Sequence, residues 1–204
     1  MNAKPCLKRP SILLGCLVGT LVSWCSTAQS QFPVTSGQVM RSLHQFDSTS
    51  QASQWQIVND GVMGGRSTSG ATITQAGTLQ FSGNISLANN GGFASVRSRP
   101  TGAFLGLNSG DTIVMRVKGD GRKYTFNLYT PDRRTAFSYQ MDFQTSSGQW
   151  QEIRLPINNF VAHSFGRAIQ AMRLNPSQVQ AIGILLGDKR PGAFQITIDS
   201  INVQ

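Results

Sequence analysis

The chain has 204 residues, of which 18 are basic and nine acidic, with two histidines, three cysteines and a formal charge of +9. That length accommodates one domain with a substantial core and argues against a multidomain assembly. All three cysteines, Cys6, Cys16 and Cys25, fall near the N-terminus, which leaves the rest of the chain little of the usual metal-binding or thiol inventory.

Lys4, Lys8 and Arg9 precede an uncharged apolar run from Ile12 to Val22, and small residues follow in Ser26-Thr27-Ala28-Gln29-Ser30. This layout predicts a secretory signal peptide over residues 1–30, cleaved after Ala28 or Ser30. The run is about half the roughly 20 residues that a membrane-spanning helix needs. Cys25 follows the bulky Trp24, which argues against lipid attachment there. Export to a periplasm or thylakoid lumen is therefore expected, with a mature domain that cannot rest on disulfides.

Three of the 18 basic residues belong to the leader, so 15 basic residues face nine acidic ones in the mature chain, a net charge of +6. They are scattered, as Arg97, Arg99, Arg116, Lys118, Arg122, Lys123, Arg133 and Arg134 show, in the manner of a solvated surface. Nucleic acid is not an expected partner, whereas peripheral association with an anionic membrane is compatible with the balance.

Residues 31–45 read as a polar lead-in with a helical turn around Gln38 to Leu43, and residues 46–204 as the folded domain. Strands dominate that domain. Phe137, Tyr139, Met141 and Phe143 alternate with polar residues, as do Ile113, Met115 and Val117, and Phe194, Ile196 and Ile198; each set predicts a half-buried strand. Further strands are expected over Ala71–Thr74, Thr78–Phe81, Phe93–Val96, Tyr124–Tyr129, Gln149–Leu155 and Ala181–Leu186. Gly119-Asp120-Gly121 and Ser146-Ser147-Gly148 read as hairpin turns. Single helical turns are expected at Pro156–Phe160 and at Asn175–Val179, where Asn175 would cap a turn opened by Pro176. Val161 to Met172 reads as the longest connecting loop. Regular short strands separated by turn residues predict an all-β sandwich or barrel.

The segment from Trp55 to Ser67 is the most unusual. Asn59-Asp60-Gly61 turns the chain, Gly64-Gly65 permits close backbone approach, and Arg66 follows. Its spacing fits neither a dinucleotide-binding glycine motif nor a P-loop, and no long helix follows. It reads either as a compact turn entering a strand over Arg66–Thr74, with Trp55 and Met63 plugging the core, or as a recognition loop at one end of the sandwich.

Catalytic chemistry is poorly provided for. His44 and His163 are not at metal-ligand spacing, no Gly-x-Ser-x-Gly elbow occurs, and several of Asp60, Asp120, Asp132, Asp142, Glu152 and Asp188 sit beside glycine, where turns use Asp for backbone bonding. No enzyme activity, metal or cofactor is expected.

The segment Asn59-Asp60-Gly61-Val62-Met63-Gly64-Gly65-Arg66-Ser67 resembles the opening signature of the complex I intermediate-associated protein family. Three further blocks agree in order: Arg116 to Arg122, Trp150 to Ile157 with Phe160 following, and Ile182 to Lys189 with Gly192-Ala193-Phe194. The resemblance implies a galactose-binding-like jelly-roll β-sandwich with only short helical turns. It also implies a non-catalytic role in assembling a membrane-protein complex, respiratory or photosynthetic, through a protein partner. Candidate binding residues are Asn59, Asp60, Met63, Arg66 and Ser67 of the signature, with Asp120 and Arg122 of the second block. The alternative is a carbohydrate-binding module of the exported compartment, which would need exposed rings; Tyr124, Tyr129 and Tyr139 are the scattered aromatics that suggest it, although Tyr139, with Phe137 and Phe143, falls at an alternating core position and argues against an aromatic platform.

Overall fold

The computed structural model describes residues 39–132 and 136–204. The expected signal peptide and its cleavage site, Cys25, Arg133 and Arg134 lie outside the described residues. Residues 37–204 fall in one compact unit.

The described residues of that unit form thirteen strands: β1 (Arg41–His44), β2 (Trp55–Asn59), β3 (Thr68–Ile73), β4 (Leu79–Ile85), β5 (Ala94–Ser98), β6 (Thr112–Lys118), β7 (Lys123–Tyr129), β8 (Phe137–Gln144), β9 (Trp150–Pro156), β10 (Val161–Ser164), β11 (Arg167–Ala168), β12 (Ala181–Leu186) and β13 (Gly192–Val203). The longest helical element among the described residues is a six-residue 3-10 turn, Thr49–Gln54. Strands β3-β4-β13-β6-β9 lie side by side in one sheet, with β1 also paired to β13, and β11-β10-β8-β7-β12-β5-β2 form the other. Every strand pair is antiparallel, so the all-β sandwich expected from the alternation is what forms.

The alternation does its work through burial. Leu79, Phe81, Ile113, Met115, Val117, Ile196 and Ile198 from the first sheet join Tyr124, Phe126, Leu128, Ile182, Ile184 and Leu186 from the second in a single buried cluster. Each such side chain contributes about 1.5–3 kcal/mol relative to exposure. Phe137, Tyr139 and Phe143 are buried on the same face of β8, as their spacing predicts. The Asn175 cap also forms, its Oδ1 accepting from the Ser177 N–H at 3.2 Å.

Four local expectations are corrected. Arg41–His44 is a strand where a helical turn was expected, because pairing with the end of β13 satisfies its backbone. Gly119-Asp120-Gly121 and Ser146-Ser147-Gly148 are not hairpins: β6 and β9 belong to one sheet and β7 and β8 to the other, so both turns carry the chain across the sandwich. They run side by side, with the Gly148 N–H donating to the Gly119 carbonyl at 2.9 Å and Thr145 Oγ1 donating to the Arg122 carbonyl at 2.8 Å. A Cβ at Gly119 would overlap the Thr145 side chain, so only glycine fits where they touch. The expected long loop from Val161 to Met172 holds β10 and β11, joined by Phe165 and Gly166, both at positive φ (47° and 72°). Finally, Met63 is 57% exposed and does not plug the core, whereas Trp55 does, at 6%.

Candidate functional site

Strand pairing brings the signature blocks to one end of the sandwich. Asn59 at the end of β2 pairs with Ala94, Ala94 with Leu186, and Leu185 with Thr125 near the start of β7. The loops 60–67, 86–93 and 187–192 and the two crossovers therefore emerge together, and hydrogen bonds join them.

Asp60 is the hub of the first two loops. Its carboxylate is fully buried and accepts from the Ser67 N–H (2.9 Å), the Ser67 hydroxyl (2.5 Å), the Gly92 N–H (2.6 Å) and the Phe93 N–H (3.3 Å). Burial alone would raise the pKa of Asp60, but the bonds from Ser67, Gly92 and Phe93 outweigh it and hold the carboxyl below its ordinary value. Cβ atoms at Gly65 or Gly91 would each overlap the carboxylate, which explains the glycine content of both loops better than any need to approach a ligand. Gly65→Ala is accordingly expected to destabilise the fold by about 1–3 kcal/mol in chemical denaturation, through displacement of a locked acceptor.

Arg122 is the second hub. It is 5% exposed and grips Asp188 with two bonds, Nε to Oδ2 at 3.0 Å and Nη2 to Oδ1 at 2.6 Å. Its remaining N–H groups donate to the carbonyls of Arg190, Gly192 and Ala193. Asp120 accepts from the Arg122 N–H, the Tyr124 hydroxyl and the Gln195 N–H, tying the first crossover to β13. Burial first, and then the nearby Asp120 carboxylate, pushes the Tyr124 phenol well above its ordinary range.

The candidate residues therefore divide into two sets. Asp60, Ser67 and Arg122 are buried, and Asn59 and Asp120 are half-buried; Asn59 Oδ1 accepts from the Ser69 hydroxyl at 2.6 Å. Met63 and Arg66 are exposed. Beside them stand exposed residues that the sequence reading did not single out: Val62 (73%), Leu87 (43%), Lys189 and Arg190. A hydrophobic residue placed in a turn between glycines was the one available signal for Val62; Leu87 had none. Among the described residues, no group of three or more His, Cys, Asp or Glu side chains could hold a metal. Two surface depressions, lined in part by Ile157, Phe160 and Arg173 and by Asp132, Tyr139 and Arg173, lie at the opposite end.

The aromatic residues are mostly accounted for. Tyr124 and Tyr139 are buried, and the ring of half-buried Tyr129 is covered by the Arg97 guanidinium at 5.1 Å, which lies across Gly183. Trp150, 39% exposed at the start of β9, has Arg116 and Lys118 over its ring at 4.8 and 5.3 Å.

The family model of complex I intermediate-associated protein 30 (CIA30) matches residues 44–198. The chain belongs to this family. Among curated relatives, the probable complex I intermediate-associated protein 30, mitochondrial, of Caenorhabditis elegans is 29% identical over 180 residues, covering 78% of this chain and 53% of the relative. The mouse protein is 28% identical over 183 residues, covering 80% and 56%. The chain thus spans about half the length of the curated relatives it matches. Those relatives are mitochondrial by name.

Solved structures with a similar fold include the family 11 carbohydrate-binding module of Clostridium thermocellum in complex with a mixed-linked tetrasaccharide (TM-score 0.57, 12% identity, 80% of this chain and 94% of that one). An agarase, AgWH50C, matches with a TM-score of 0.57 and 10% identity, over 82% of this chain and 24% of that one. At such identities these likenesses establish the jelly-roll sandwich fold of the CIA30 domain alone.

Proposed function

We propose that this CIA30-family chain is a non-catalytic protein-binding module, an assembly factor or chaperone-like protein for a respiratory or photosynthetic membrane-protein complex, working in an exported compartment. The observation that carries this reading is the family match across residues 44–198, shared with relatives named for association with complex I intermediates. The end of the sandwich that gathers the signature blocks is the proposed binding end. There Asp60, Ser67, Asn59, Asp120 and Arg122 act as scaffold, and Met63 and Arg66 are available for contact. Residues 1–30 are proposed to direct export.

Sugar binding is the weaker reading, because the three tyrosines that would stack on a pyranose are buried or covered by Arg97. The test is affinity purification of the tagged protein from its own membranes after mild crosslinking, with mass spectrometry against an untagged control. Recovery of the subunits of one membrane complex is expected, and it should fall several-fold for Met63→Asp. Enrichment of no protein would overturn the assembly reading.

A further inference from the structure

Exposed apolar side chains are common singly and need no explanation there. At the signature end they are neither single nor randomly surrounded. Val62 and Met63 stand on the 3-10 turn that Asp60 opens and Gly64 closes in the left-handed region (φ 86°). Leu87 stands on the neighbouring loop, and Asn89 Nδ2 donates to the Gly64 carbonyl at 3.0 Å, which holds the two loops together.

Charge is sorted in the same place. The loops 60–67, 86–93 and 187–192 carry two carboxylates, and both are withdrawn: Asp60 is buried among four donors and Asp188 is gripped by Arg122. Their cations Arg66, Lys189 and Arg190 are exposed. Lys189 adopts positive φ (58°), uncommon for a long side chain, and its Nζ donates to the Gly91 carbonyl at 3.2 Å. Lys189 and Leu87 both lie within 3.3 Å of where a Cβ on Gly92 would stand, so cation and apolar side chain meet over that glycine. Two of the three N–H bonds of the Lys189 ammonium remain for an oxyanion.

We propose that this end of the sandwich docks on an anionic membrane surface, with Val62, Met63 and Leu87 entering the headgroup layer and Arg66, Lys189 and Arg190 meeting lipid phosphates. A bilayer interface offers that combination in depth, hydrocarbon below and negative charge around it. The loops that carry these residues are pinned by buried bonds, so little ordering is needed on contact. This goes beyond the assembly reading and differs from it at Met63 and Arg66, which it assigns to lipid where that reading assigns them to a protein; a client recovered through another face leaves it standing, and quenching against crosslinking at position 63 tells the two apart.

The test uses the full chain with a tryptophan reporter at Met63→Trp, and, as control, at Phe104→Trp, an exposed position at the opposite end next to Leu105, which bonds Val179; quenching of each is read as the difference from the parent chain, which carries Trp24, Trp55 and Trp150. Vesicles of phosphatidylcholine with or without phosphatidylglycerol, carrying brominated acyl chains, quench only a ring that enters the bilayer. Membrane attachment through the leader would be common to both variants and would not quench position 63 selectively. Quenching at 63 and not at 104 is expected, with anionic vesicles only. Each of Arg66→Ala and Lys189→Ala is expected to weaken the vesicle affinity about fivefold, and salt to weaken it further. Equal quenching at 63 and 104, or equal quenching by neutral vesicles, would overturn the proposal. So would crosslinking of position 63 to a protein partner with no quenching at all.

Discussion

Arg122→Met is expected to lower the unfolding free energy by about 3–5 kcal/mol, the largest loss from any single side chain at the signature end. The substitution strands Asp188, whose side chain is 7% exposed, without its cation, and it frees the carbonyls of Arg190, Gly192 and Ala193 from their donors. Removing both charges is a different matter, since it also removes the desolvation penalty that the pair carries. The double variant Arg122→Met, Asp188→Leu is therefore expected to be more stable than Arg122→Met alone by about 1 kcal/mol or more in urea denaturation. Losses that simply added would show the pair to be uncoupled.

Asp60→Ala is the second large effect, about 3 kcal/mol or more, because it leaves the buried N–H groups of Ser67, Gly92 and Phe93 without an acceptor. Amide exchange over 60–67 and 86–93 should accelerate with it. Asp60→Asn keeps the shape but turns an amide donor toward donors, and should fall between the two. The pH dependence has a fixed sign. Asp60 and Asp188 both have carboxyls held below the ordinary value of 3.8, with hydrogen bonds outweighing burial in each, so their stabilisation is complete above that value and is lost as pH falls through their folded pKa. His44 behaves likewise at higher pH. Burial beside Trp55 lowers its pKa from 6.5, so the neutral ring is favoured by folding, and stability declines as pH drops below about 6.5. Asp60→Ala should make the acid limb shallower, leaving the part that Asp188 supplies, and leave the His44 component in place.

The strands were legible wherever one face is wet. Phe137 to Phe143 and Ile113 to Val117 declare themselves by alternation, because the sandwich buries one side of each. Trp55–Asn59 does not: its burial grades from buried Trp55 through four half-buried residues, and the glycines that follow it draw the reading toward a turn. The β10–β11 hairpin was hidden for another reason. Its two-residue connection is Phe165-Gly166, and a phenylalanine at positive φ is not a turn signal that sequence offers. Gly119 and Gly148 were read correctly as turns and wrongly as hairpins. Local conformation fixes how sharply a chain bends, but which sheet receives the next strand depends on side chains far away. The same limit applies to the binding end. The signature motif was visible, yet its buried hubs and its exposed Val62 and Met63 look alike in the sequence, since an Asp in a turn gives no hint that four donors surround it.

The position of β13 between β4 and β6 carries one more consequence. Residues 192–198 pair with 79–85 on one side, and 197–203 with 113–118 on the other. A ribosome releases β4 and β6 long before β13 exists, and until it arrives each presents an open row of amides and carbonyls with apolar residues on one face. The first sheet can close only after synthesis has reached residue 203, so the nascent chain passes through an interval in which its own neighbours on a polysome are competing strands.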